Sequence, residues 1–229
     1  MSAEQGTPAW LQERCGFVTA SRLSDVMAKI KTGEAASRAN YRAELVAQRL
    51  TGQVQEGFTN AAMQHGTEQE PFARAAYEIL GGVMVEEVGF IKHPTIAWAG
   101  ASPDGFVGAD GLIEIKCPNT ATHIEYLLAG TVPAKYQPQM LWQMECTGRK
   151  WCDFASYDPR MPEELRLFVV RFERDEDRII EARAAVVEFL SGVQATVSAL
   201  QRMIALKEDP EIRRARIEAS KTTDLAEAM

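Results

Sequence analysis

The stretch Ser102-Pro103-Asp104-Gly105-Phe106-Val107-Gly108-Ala109-Asp110-Gly111-Leu112-Ile113-Glu114-Ile115-Lys116 decides the fold. Gly108-Ala109-Asp110-Gly111 lies between two apolar runs, which predicts a β-hairpin of Gly105–Val107 and Leu112–Lys116. Residues i and i+2 of a strand share a face. Glu114 and Lys116 therefore point together, and Ile113 and Ile115 face the core. The hairpin returns Asp104 to within a residue or two of direct opposition to Glu114. Two carboxylates and an ammonium converge beside a glycine, where a bulky ligand can approach.

Paired carboxylates suit a hard divalent cation such as Mg²⁺ or Mn²⁺. Two such ions about 3.5–4 Å apart clamp the attacking and leaving oxygens of a phosphodiester, and an ion lowers the pKa of its water. Lys116 is placed to orient or help deprotonate that water without competing for the metal. An exposed hairpin alternating Glu and Lys has the same local pattern, so neighbouring residues matter. Asp104 sits between Pro103 and Gly105 in an apolar region, a poor place for an idle acid. Glu68, Glu70 and Glu78 lie on an upstream helix whose solvated face accounts for two of the three.

Outward from the hairpin, helices are expected at Ser21–Ile30, Ser37–Leu50 and Asn60–Leu80, the first two capped by their serines. Within the third, either a new helix starts at Thr67 or a longer one kinks at Pro71. Val83–Val85, Val88–Lys92 and Ile96–Ala99 read as short strands. Helices follow at Thr120–Ala129 and Pro133–Cys146, then strands at Trp151–Tyr157 and Leu165–Phe172. A long amphipathic helix runs from Asp175 to about Lys207, its apolar face (Ile179, Ala182, Val186, Phe189, Leu190, Val193) mostly covering the sheet. Residues 210–229 form a charged tail, either a frayed helix or disordered. The whole reads as one domain, 1–229, with no repeat.

Composition narrows the classes. The 229 residues are 46% hydrophobic and 25% charged, the balance of a globular protein. No apolar run approaches the roughly 20 residues that span a bilayer, and the polar start lacks a secretory pattern, so no membrane is expected and the cytoplasm is the default compartment. Four cysteines without a CxxC argue against a disulfide scaffold, a zinc ribbon and an iron–sulfur cluster. Net charge is −7, and residues 60–130 carry nine Asp/Glu against three Lys/Arg. Clustered acids repel phosphate unless a cation sits among them.

Further residues have a functional and a plain reading. Arg38, Arg42 and Arg49 share a helix face, either tracking phosphates or meeting solvent. His65 either touches DNA or is a loop histidine, Cys117 is a metal thiolate or a small buried hydrophobe, and Trp98, Trp142 and Trp151 are base-stacking platforms or, more often, core packing.

Six stretches in order, RCGFVTASRLSDV (14–26), HGTEQEPFARAAYE (65–78), SPDG (102–105), EIKCP (114–118), YQPQMLWQM (136–144) and YDPRM (157–161), resemble the lambda-exonuclease/YqaJ family of viral recombinases, within the PD-(D/E)xK nucleases. The resemblance implies an α/β restriction-endonuclease-like core, a central mixed sheet flanked by helices, and the long C-terminal helix. It implies Asp104, Glu114 and the Ile115 carbonyl as metal ligands, with Glu70 supporting them. Lys116 matches the catalytic lysine, and Gln139 a residue that holds the water and the active-site face. Arg14, Ser21 and Ser102 match a 5′-phosphate pocket; its second Arg is missing, and His123 is the candidate substitute. Met63 stands where the family places an apolar wedge for the duplex end, and also reads as an ordinary helix-face Met.

The implied function is Mg²⁺-dependent 5′→3′ digestion of linear double-stranded DNA to 5′-mononucleotides, with two ions per site and Mn²⁺ as a substitute. The 3′ single strands left would feed phage-type recombination through a single-strand annealing protein. The implied assembly is a homotrimer ring around DNA, in a bacterial host and encoded by a phage or prophage. A non-catalytic DNA-end or partner-binding module of the same fold, and an endonuclease of the same superfamily, are the alternatives.

Overall fold

The computed structural model describes residues 3–54 and 61–208. The chain begins with α1 (Pro8–Glu13), β1 (Val18–Thr19), a 3₁₀ turn at Ala20–Arg22, α2 (Leu23–Met27) and α3 (Ala36–Thr51). Neither predicted serine caps its helix: Ser21 lies inside the 3₁₀ turn, and Ala35 takes the N-cap place ahead of Ser37. Gly52 ends α3 at φ 68°, where glycine carries no Cβ penalty.

α4 (Ala61–Gly81) runs unbroken through Pro71, so one long helix forms. Short strands follow: β2 (Val85–Glu86), β3 (Ile91–Lys92) and β4 (Ala99–Ala101). Each is shifted or trimmed from its expected span, because pairing partners and not apolar runs set these ends. Trp98, at φ 64°, turns the chain immediately before β4 and is 42% exposed, so it is not the core residue expected.

The hairpin of β5 (Gly105–Val107) and β6 (Gly111–Lys116) forms as predicted, with Gly105 opposite Ile113 and Val107 opposite Gly111. α5 (Thr120–Ala129) is capped by the Asn119 side chain, which accepts from the Thr122 N–H at 2.9 Å. α6 (Gln137–Thr147) starts later than expected, after a turn closed by the Tyr136 N–H donating to Pro133 O. β7 (Trp151–Tyr157), β8 (Leu167–Glu173) and α7 (Glu176–Glu208) complete the described chain. Leu165 belongs to a 3₁₀ turn, not to the last strand.

The central mixed sheet has the order β2-β5-β6-β7-β8. β6 and β7 are parallel, their crossover formed by α5 and α6; the other pairs are antiparallel. A second, small sheet has the order β1-β4-β3. On one face of the central sheet Leu112, Met140, Leu141, Met144 and Phe154 pack together. On the other, Ile113, Ile115 and Ala155 meet Ala73 and Tyr77 of α4. The apolar stripe of α7 departs from expectation. Ile179 joins the sheet cluster, but Ala182, Val186, Phe189, Leu190 and Val193 pack with Leu23, Val26, Tyr41 and Leu45 of α2 and α3. The tail at 210–229 lies outside the described residues.

Candidate active site

Extending the hairpin register by one residue places Asp104 directly across from Glu114. Asp104 Oδ2 accepts the Ile115 N–H at 2.6 Å, which locks the carboxylate onto β6. Glu114 is wholly buried, and the Lys116 ammonium pairs with its Oε1. The same Oε1 accepts from Gln139 Nε2 at 2.7 Å, and Oε2 accepts from Gln143 Nε2 at 2.6 Å. α6 thus presents two amides, one helical turn apart, to the two oxygens of one carboxylate.

Electrostatics show what the cluster lacks. Burial and then Glu114 push the Asp104 carboxyl well above the usual carboxylate range; Glu70 adds to this and Lys116 opposes it. Burial works against the Lys116 ammonium, but Glu114 and Asp104 outweigh it and raise its pKa. One ammonium therefore faces a surplus of acid. A divalent cation fits this donor set, because Mg²⁺ is commonly bound by one or two carboxylates, with water and substrate phosphate completing the shell. Among the described residues no group of three or more His, Cys, Asp or Glu side chains gathers for an ion. The protein's share of a shell would come from Asp104, Glu114 and the Ile115 carbonyl. Glu70 reaches the site through charge, while its Oε1 accepts from Arg74 at 3.0 Å.

Two of the candidate phosphate-binding residues, Arg14 and Ser102, are linked through Trp10, which the sequence had not singled out. The Arg14 guanidinium lies 3.9 Å from the centre of the Trp10 ring, and Trp10 Nε1 donates to Ser102 Oγ at 3.0 Å. Arg14 makes no ion pair among the described residues, and burial lowers its pKa to about 10. Ser21 Oγ lies 3.4 Å from Thr19 Oγ1.

His123 is not in this pocket. It is wholly buried, with Nδ1 2.7 Å from Ser156 Oγ and Nε2 2.8 Å from Leu165 O. The inner face of α5 turns it toward β7, where both ring nitrogens are used. Met63 falls on α4, but its side chain lies outside the described residues. His65 is also in α4, not in a loop. Arg38 and Arg42 both pair with Glu34, so they form no free phosphate stripe. Cys117 is packed against the α4 side of the core, and burial pushes its thiol up to about 12.

Gln143 and Trp10 are the residues the sequence reading omitted. The i, i+4 spacing of Gln139 and Gln143 in YQPQMLWQM was an available signal; for Trp10 there was none.

The family profile for the YqaJ-like viral recombinase domain matches residues 9–150, the segment that builds the hairpin and α6. The chain belongs to that family. An alkaline exonuclease (LHK-Exo) from Laribacter hongkongensis, known alone and in complex with dAMP, is 54% identical to it. That match covers 87% of this chain and 98% of that one, with a TM-score of 0.82. A phage related exonuclease from Haemophilus somnus 129PT, 17% identical over 82% of this chain and 96% of that one, shares the fold at a TM-score of 0.62. No curated protein matches the chain. The two matched exonuclease structures share the mixed α/β architecture of this chain.

Proposed function

We propose that the protein is a divalent-metal-dependent exonuclease that digests linear double-stranded DNA 5′→3′ and releases 5′-mononucleotides. The observation that carries this is the convergence of Asp104, Glu114 and Lys116, with both Glu114 oxygens fixed by Gln139 and Gln143. Family membership and the 54% identical alkaline exonuclease support nuclease chemistry, and that relative's dAMP complex supports a mononucleotide product.

In the mechanism, Asp104, Glu114 and the Ile115 carbonyl would hold Mg²⁺, or Mn²⁺ in its place. The ion supplies Lewis acidity toward the phosphoryl oxygen and acidifies water. Gln139 and Gln143 stop Glu114 from rotating, so the carboxylate needs no reorganisation as charge develops. Lys116 orients the attacking water and offsets negative charge on the phosphoryl group. Glu70 supports the field from α4. Arg14, with Ser21 and Ser102, receives the 5′-phosphate, since a guanidinium matches phosphate geometry.

A homotrimer ring in a bacterial cytoplasm would let a chain of net charge −7 retain DNA by topology, with only the channel basic. The 3′ strands would pass to a single-strand annealing protein. No described helix is long and apolar enough to cross a membrane.

The test is incubation of linear and closed-circular duplex with Mg²⁺. Mononucleotides from the linear form alone are expected, and none from Lys116→Ala. Cutting of the circle would make the protein an endonuclease. An intact linear duplex would leave a binding module.

A further inference from the structure

We infer that Lys135 and Tyr136 complete the DNA-binding side of this site: the Tyr136 ring positions the Lys116 ammonium, and Lys135 contacts a backbone phosphate next to the scissile one. This rests on the nuclease reading above.

Both ammonium groups share one ring. Lys116 Nζ lies 5.4 Å from the Tyr136 ring centre, and Lys135 Nζ 4.8 Å from the same centre. An aromatic face attracts a cation at such distances. The ring itself is anchored. It stacks on Phe154 at 5.4 Å and 23°, and Tyr126 meets both rings edge-on. Phe154 is buried and is the register partner of Glu114 on β7. Tyr136 is also the N-cap residue of α6, the helix that carries Gln139 and Gln143. One rigid unit therefore fixes the lysine, the glutamate's amides and the second ammonium together.

Charge gives Lys135 its role. Lys116 is committed to Glu114, and Asp104 and Glu70 add further negative charge. A DNA strand brings more phosphates than a bound metal neutralises. Lys135 is exposed and pairs with no carboxylate among the described residues. The Tyr126 and Tyr136 side chains hold this ammonium, the Tyr126 ring centre lying 5.6 Å away, and no carboxylate among the described residues competes with a phosphate for it.

The experiment uses the full chain with Lys135→Gln, Tyr136→Phe and Tyr136→Leu. Binding of a labelled linear duplex is followed by anisotropy in EDTA across a salt series, and digestion by steady-state kinetics in Mg²⁺. For Lys135→Gln, KM should rise roughly fivefold at near-constant kcat, and the log–log salt slope of binding should shrink by about one. Tyr136→Leu should lower kcat about tenfold, with Tyr136→Phe restoring most of it, because the ring face and not the hydroxyl does the positioning. An unchanged KM and salt slope in Lys135→Gln, or equal losses in Tyr136→Phe and Tyr136→Leu, overturns the inference. If Tyr136→Leu fails to fold, Tyr136→Phe and Lys135→Gln decide: a tenfold loss in Tyr136→Phe counts against it. If the wild type leaves linear duplex intact, the nuclease reading falls, and the salt slope alone decides Lys135.

Discussion

Gln143 Nε2 donates to Glu114 Oε2 at 2.6 Å, a contact between two side chains with no exposure to solvent. With Gln139 on the other oxygen, it holds a buried carboxylate in one orientation before any metal or substrate arrives. Gln143→Leu strands that oxygen. The expected cost is about 1–3 kcal/mol of stability, with a fall in kcat larger than any change in KM. Urea denaturation and digestion kinetics check both.

Asp104 and Glu114 repel each other across the hairpin, and a divalent cation bound between them would relieve this. Asp104→Asn should raise the melting temperature in EDTA. The same change should weaken Mn²⁺ binding by more than about tenfold, measured by calorimetry. Mg²⁺ should then raise the melting temperature of the wild type and not of the variant. If Mg²⁺ stabilises both equally, the ion sits elsewhere.

Arg14 is the proposed end-binding residue, whereas His123 is bonded into the scaffold. Arg14→Ala should reduce the preference for 5′-phosphorylated over 5′-hydroxyl ends, read on end-labelled duplexes. His123→Ala should lower stability by about 1–3 kcal/mol, since it empties a site bonded to Ser156 and Leu165, and leave the end preference intact. Loss of preference in His123→Ala at full folding would return that residue to the pocket.

Asp158 ties the YDPRM segment to the start of α5. Thr120 Oγ1 donates to its Oδ2 at 2.7 Å, and Arg160 Nε to its Oδ1 at 2.6 Å. Burial works against the carboxylate, but Arg160 and Thr120 prevail and hold its pKa down at about 2. A depressed folded pKa means stability that is full above the unfolded value near 3.8 and is lost as pH falls toward about 2. Asp158→Asn should therefore melt below the wild type at pH 7, and the gap should close on acidification to about pH 2. A gap constant with pH would assign the effect to packing.

Gly111 faces Trp151 so closely that a Cβ would stand 2.0 Å from the indole. Gly111→Ala should destabilise by about 1–3 kcal/mol, because the ring is packed and cannot retreat freely. Thermal melts test this, and an unshifted melt would show that Trp151 moves.

The chain's local chemistry determined a good part of this protein. Strand periodicity put Glu114 and Lys116 on one face, and the Gly108–Gly111 turn brought Asp104 back to them, because both follow from backbone geometry over a few residues. The span of α5 was legible for the same reason. Contacts between distant segments were decided only by the tertiary structure. The parallel pairing of β6 with β7 sets Phe154 beside Glu114 and so fixes the ring of Tyr136. Packing between elements hides His123 behind Ser156 and turns α7 onto α2 and α3. Side-chain partners tens of residues apart depend on how elements stack, and spacing along the chain carries no record of that.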